Sequence, residues 1–318
     1  MSAKYKLFFA VVILCLSSSV KAQYDIHFAH FWAVKPFYNP AGMSWNGQLN
    51  VAGALSMQMA GYRRAPVSMY LGADTELPFD RGRHSGGAGL FNETIGLFTN
   101  RRMFFNYGYR FHLGRKGWLN IGLQGGVMSM EFDGTRIDAE TSGDPAFPTS
   151  RERGSTGDLG AGLMYSGNEW YLGLSAQHLN IPHIEFGKGV GKRSEMDIKT
   201  TFYMNSGYNI QLKNPFISLQ PCILVQSDLD FFRTDLSARA TYEYDSFLFY
   251  GGLTWSPGVS IAVLAGGRYK GVLIGYAYEF YTGDIGYLNG SHDLVVSWQT
   301  DIDFFGKGRN AHKSVRYL

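Results

Sequence analysis

The sequence predicts an all-β fold, a transmembrane antiparallel β-barrel of about 14 strands of the outer-membrane type. Three observations predict it. From about residue 46 almost to the end, apolar and polar residues alternate with period two, in segments of roughly ten residues, the length a tilted strand needs to cross a bilayer. Short and long connections between these segments alternate. The composition, with 40 Gly, 15% aromatic and 17% charged residues in 318, departs from ordinary soluble domains, which carry about 7% Gly and about 25% charged residues. The net charge of +3 is too small to suggest nucleic acid as a partner.

Residues 1–22 read as a secretory signal peptide. Lys4 and Lys6 precede an apolar run from Leu7 to Leu16, and a polar stretch ends in Val20-Lys21-Ala22, so the mature chain is expected to begin at Gln23. That run is too short to span a bilayer as a helix, which needs about 20 residues. Cys15 falls inside the leader core and lacks the small preceding residue that lipoprotein processing requires. Cys222 is then alone in the mature chain, which excludes an intramolecular disulfide. Residues 23–46 are rich in aromatics and contain Pro36 and Pro40, which oppose regular structure. They are too apolar for a free tail and are expected to pack in the barrel lumen or under its periplasmic mouth.

Residues 47–305 form the expected barrel. In the first segment Leu49, Val51, Leu55, Met57 and Met59 share one face, with Asn50, Ser56 and Gln58 on the other. Met103, Phe105, Tyr107, Tyr109 and Phe111 alternate with Asn106, Arg110 and His112; Leu119, Ile121, Leu123 and Val127 alternate with Asn120 and Gln124. Leu236, Ala238, Ala240 and Tyr242 alternate with Asp235, Ser237, Arg239, Thr241 and Glu243. The predicted strand centres lie near Leu55, Met69, Leu90, Tyr107, Leu123, Leu163, Leu174, Met204, Ile223, Ala240, Leu253, Val263, Tyr276 and Val296. An even number of strands puts both termini in the periplasm. A soluble β-sandwich also alternates, but rarely uses this many strands of this length. Trp118, Trp170, Tyr244, Trp255 and Trp298 fall near segment ends, as in interfacial girdles.

Tight turns are expected at 114–117, 166–169, 213–215, 244–246 and 269–271, and longer outer loops at 92–100, 133–157, 180–197, 227–233 and 282–291. Two connections break the alternation, a long one at 75–86 and a short one at 256–258. In the longest loop Arg136, Arg151 and Arg153 stand against Asp138, Glu140 and Asp144, a candidate surface-partner site. After Phe305 the pattern stops. Residues 306–318 form a basic tail, expected in the periplasm, where Lys307, Arg309, Lys313 and Arg316 suit an acidic partner.

Several landmarks resemble the PorP/SprF family of type IX secretion membrane proteins. Phe37-Tyr38-Asn39-Pro40-Ala41-Gly42 is similar to the family's Asn-Pro-Ala element before the first strand, and the stretch Gly87 to Gly96 to its glycine-alternating third strand and following turn. Tyr171 to Leu179, Asp235 to Tyr242 and Gly290 to Leu294 are similar to later strands, in the same order along nearly the whole mature chain. Met59-Ala60-Gly61-Tyr62 departs from the family's Trp-x-Gly pattern, although Ala65-Pro66 and Asp74 follow as in the family. The resemblance implies an outer-membrane component of type IX secretion or gliding motility. Members work with the periplasmic ring lipoprotein and ring subunits of the secretion machine, or support export or anchoring of one surface adhesin.

The residues themselves argue against catalysis and cofactors. His27 and His30, like His178 and His183, lack neighbouring ligands at a recognised metal spacing and read as structural histidines. Ser291, His292 and Asp293 are adjacent, which in a strand points neighbouring side chains to opposite faces and opposes a triad. No Gly-x-Ser-x-Gly turn supports a nucleophile. Arg110, Arg239 and Glu243 are expected to form a rigidifying lumen network, and Cys222 to be a small packing residue. The competing function, from another class, is a FadL-like channel for hydrophobic small molecules with the amino-terminal segment as its plug.

Overall fold

The computed structural model describes residues 26–80, 82–114, 117–136, 150–186, 194–283 and 290–302. Residues 1–25, which include the expected signal peptide, and the basic stretch at 306–318 lie outside the described residues.

The alternating pattern folds into long antiparallel strands: β1 (Gln48–Met57), β2 (Val67–Leu77), β3 (His84–Ile95), β4 (Phe98–Leu113), β5 (Gly117–Asp133), β6 (Arg151–Ser166) and β7 (Trp170–Gln177). A small hairpin follows, β8 (His183–Phe186) and β9 (Ser194–Asp197), and then β10 (Thr201–Tyr208) with its two-residue continuation β11 (Ile210–Gln211). The wall resumes with β12 (Ile217–Ser227), β13 (Phe232–Tyr244), β14 (Phe247–Ser256), β15 (Ser260–Tyr269), β16 (Val272–Tyr281) and β17 (Ser291–Asp301). Each wall strand pairs with its neighbour in sequence, β10 bridges β7 and β12, and β1 closes on β17 from Gln48↔Asp301 to Met57↔His292. The result is a closed 14-stranded antiparallel barrel, and every predicted strand centre falls inside its strand. Closure leaves no lipid-facing edge in which backbone groups lack a partner.

Period two then decides which side chains meet lipid. Met69, Leu71, Phe105, Leu123, Val127, Leu253 and Ile274 point outward and are each more than half exposed. A belt of this extent is unsupportable in water and is satisfied by hydrocarbon. Inward go Asn50, Ser68, Asn106, Asn120, Gln124, Ser175 and Asn205, all buried. The inner face also carries Tyr70, Phe91, Phe104, Tyr203 and Leu224, which a water-filled pore would not accommodate.

Several connections differ from the expected loops. The stretch 92–100 is strand on both sides of a two-residue turn, Gly96-Leu97, because Gly96 adopts φ +61° and lets the hairpin reverse tightly. Strand β6 starts at Arg151, so Arg151 and Arg153 belong to the wall rather than to a loop, with Arg153 paired opposite Glu131. Strands β4 to β6 run 16, 17 and 16 residues and outreach the bilayer at the end away from the chain termini, the far end. There the inward Met128 and Met130 are covered by Ile184, Phe186 and Ile198 of the β8–β9 region, which folds over that part of the mouth. The opposite end, where Gln48 and Asp301 pair, is the terminal end.

Leu123→Arg is expected to destabilise the inserted barrel by about 2–4 kcal/mol, measured by denaturant unfolding in lipid. A nitroxide at Leu123 or Met103 should report lipid contact, not water.

Candidate functional site

The site built by this wall is its filled lumen. Residues 26–43 run along the lumen from far end to terminal end in three short helical turns, Phe31–Ala33, Lys35–Tyr38 and Pro40–Gly42. Ile26, Phe28, Phe31, Val34, Phe37, Tyr38 and Ala41 are almost wholly buried. The prolines stand where helical turns begin, positions that need no N–H.

Irregular backbone inside a membrane barrel must find partners on the wall. At the far end the Ala29 N–H donates to Asp293 Oδ2 at 2.6 Å. His27 sits in an ionic cluster: its Nε2 lies 3.3 Å from Asp235 Oδ1 and its Nδ1 2.9 Å from Arg233 Nη2. Arg233 also reaches Asp235 at 3.1 Å and Glu279 at 3.3 Å. In mid-lumen Ser175 Oγ donates to the Tyr38 carbonyl at 2.7 Å, Gln177 Nε2 to the Phe37 carbonyl at 2.5 Å and Asn106 Nδ2 to the Pro36 carbonyl at 3.2 Å. Near the terminal end Asp74 accepts from the Ser44 N–H at 2.7 Å.

Aromatic packing supplies the apolar part. The Phe37 ring centre is 5.1 Å from that of Tyr70 and 5.3 Å from that of Phe91, and the Arg102 guanidinium lies over both phenylalanine rings. Tyr38 meets Tyr203 edge-on at 5.5 Å. Burying each such ring contributes roughly 1.5–3 kcal/mol.

The tightest docking is at Asn39-Pro40-Ala41. Asn39 Oδ1 accepts from the Ala41 N–H at 2.8 Å, and its Nδ2 donates to the Leu163 and Leu174 carbonyls at 3.1 and 3.4 Å. The turn reaches these strand carbonyls because the facing wall positions are glycine. A Cβ at Gly122 would come within 2.2 Å of Ala41 N, and one at Gly162 within 2.1 Å of Asn39 Oδ1.

The residues singled out for a lumen network do not touch one another. Arg110 pairs with Glu76 at 3.4 Å and stacks between Trp45 and Trp118 near the terminal end. Arg239 lies 3.5 Å over the Trp32 ring, and Glu243 sits at the rim with Arg268 at 2.6 Å. Arg136 and Arg151 both pair with Asp133, at 3.2 and 3.4 Å, and Arg153 Nε donates to Ser129 Oγ at 2.7 Å. Lys307, Arg309, Lys313 and Arg316 lie outside the described residues. His178 joins Asp158 at 2.9 Å and Arg102 at 3.2 Å, and His183 joins Asp197 at 2.6 Å. Ser291 and Asp293 face inward while His292 Nδ1 meets Tyr276 Oη at 2.7 Å on the outer side. Cys222 has no second cysteine among the described residues. Missed by sequence reasoning were Asp293, the Arg233-Asp235-Glu279 cluster, Gln177 and the glycine track. Only the Asn-Pro-Ala element signalled the docking point.

The family described as "Type IX secretion system membrane protein PorP/SprF" matches residues 20–298. The chain belongs to the PorP/SprF family. It is therefore an outer-membrane component of type IX secretion, of a family and fold that are non-enzymatic kinds. Curated proteins give no sequence match. Among solved structures, PorP/SprF architecture is similar to the CymD monoaromatic hydrocarbon channel at 12% identity, covering 88% of this chain and 94% of that one with a TM-score of 0.49. A Pseudomonas aeruginosa FadL homologue is similar at 10% identity, 79% and 88% coverage and a TM-score of 0.47. CdiB from Acinetobacter baumannii is similar at 9% identity, 80% and 60% coverage and a TM-score of 0.46. Likeness at that level carries nothing about substrate.

Gly122→Ala is expected to lower the stability of the barrel by about 1–3 kcal/mol, because plug and wall backbones cannot part locally. Gly125→Ala, whose Cβ meets only Leu159 Cδ2 at 3.9 Å, should change it by less than about 0.5 kcal/mol. Thermal unfolding in detergent checks the pair, and equal effects would refute the docking account.

Proposed function

We propose that the chain serves type IX secretion as a plugged, non-conducting barrel that links the outer membrane to the periplasmic ring and supports export or anchoring of a surface protein. In this reading the terminal end faces the periplasm. The basic tail, with Lys307, Arg309, Lys313 and Arg316, meets an acidic face of the ring lipoprotein or ring subunits there. The far end presents the connection 134–150, with Arg136 at its base, to an adhesin or secreted cargo. Gliding motility is the process such a surface protein would serve.

The observation that carries the proposal is the occupied lumen. Residues 26–44 are held by the wall at both ends and in the middle, so the barrel is built as a rigid fixture and not as an open conduit. A hydrophobic-solute channel needs a path through the lumen that this segment occupies.

Deleting 307–318 should abolish co-purification of ring subunits while the barrel still inserts. Deleting 137–149 should abolish display of the surface cargo, again with insertion intact. Purified protein in liposomes should pass no small hydrophobic solute. Measured flux together with undiminished ring capture by the tail deletion would replace this reading with the channel.

A further inference from the structure

The wall has one interrupted seam next to the plug. The β10 ladder pairs Gly207 with Cys222 and resumes at Ile210 with Leu219, skipping Tyr208 and Asn209 opposite Pro221 and Gln220. Pro221 has no N–H to offer the ladder. Between this seam and the plug lies a cavity of about 20 Å³ lined by Trp32, Lys35, Tyr171, Gln220, Cys222 and Arg239. That volume holds about one water-sized group. The cavity sits toward the terminal end, where Tyr208 at the end of β10 is exposed.

Its walls are cationic and carry unused donors. Arg239 Nε donates to Gln220 Oε1 at 2.6 Å, and its guanidinium stacks 3.5 Å over Trp32. Among the described residues no carboxylate lies within ion-pair reach of Arg239, and its Nη1 is buried without a hydrogen-bond partner. Arg233 and Arg110 differ, since the first has Asp235 and Glu279 and the second has Glu76. The Trp32 indole N–H, on the same cavity, is buried and unpartnered too. Lys35 places its ammonium 4.3 Å from the Tyr171 ring centre. A buried guanidinium without a counter-charge is costly, and so is an unmade hydrogen bond from a buried N–H.

We propose that this cavity is a carboxylate-binding site. Arg239 and Lys35 supply the charge, and Arg239 Nη1 and Trp32 Nε1 supply the two donors. One carboxylate oxygen fills the water-sized space while the rest of the molecule leaves along the seam toward Tyr208. The ligand belongs to one chemical class with two sources, a free small carboxylate or the carboxylate of a peptide reaching the terminal end.

The test uses the full processed chain in detergent at fixed ionic strength. Sodium acetate should raise the unfolding temperature saturably, while acetamide, its neutral counterpart, should not. Acetate should also slow alkylation of Cys222 by iodoacetamide, a readout that needs no variant. Arg239→Gln should weaken the acetate response about tenfold, as expected for losing one charge-assisted hydrogen bond. Lys35→Met, on the plug side, should weaken it as well while leaving the wall strands intact. A short peptide with a free C-terminal carboxylate, compared with its amide, distinguishes the sources: protection by the free acid identifies a chain terminus, and protection by acetate alone identifies a small carboxylate. An acetate response equal in wild type and both variants, a chloride response as large as that to acetate, or an unchanged Cys222 alkylation rate would overturn the proposal.

Discussion

A chain surrounded by hydrocarbon has no water with which to satisfy its peptide groups, and each one left unpaired costs several kcal/mol. Closure of β1 on β17 meets that constraint for the wall. The same constraint then governs the inside, because a plug without regular structure cannot pair with itself. Ser175, Gln177, Asn106, Asp74 and Asp293 take the place of water, each meeting a main-chain group of residues 26–44. The polar inner face of this barrel is thus a mould for one segment of its own chain.

Glycine completes the mould. The outward residues on β5 and β6 are large, but Gly122 and Gly162 face inward where Asn39-Pro40-Ala41 arrives, and the missing side chains let Asn39 reach carbonyls of the sheet itself. A side chain there would push the plug away by more than an ångström and strand those contacts. The cluster Tyr70, Phe91, Phe37 and Tyr38 fills the remaining volume, with Phe37 edge-on to Tyr38 and Tyr70 and tilted against Phe91.

Much of the wall was legible because period two is a strong signal over ten residues: the strand centres from Leu55 to Val296 all stand. Face assignment was legible for the same reason, as Asp235, Ser237 and Arg239 point in while Leu236 and Ala238 point out. Environment was not. Alternation says that Phe91 and Phe104 lie opposite Leu90 and Met103, but not that the inner side is a packed core, since that depends on a segment over forty residues earlier in the chain. Arg151 and Arg153 were read as loop because Arg, Glu, Gly and Ser carry no hydrophobic period, although a strand projecting beyond the bilayer needs none. Ion pairs such as Arg233 with Glu279 join β13 to β16 and leave no local trace in sequence.

The two ends of the plug differ in what its removal would leave behind. At the far end Arg233, Asp235 and Glu279 pair among themselves, with Ser256 and Ser260 adding hydrogen bonds to the carboxylates. That cluster keeps its ion pairs and hydrogen bonds without His27, although its two carboxylates outnumber its one guanidinium. Toward the terminal end Arg239 has Gln220 and the plug's Trp32 but no carboxylate among the described residues. Losing the plug there uncovers a cation whose stacking surface has gone, so the wall at that end is complete only with the plug in place. Wall and plug are therefore most interdependent toward the terminal end, whereas the far-end cluster retains its ion pairs without the plug.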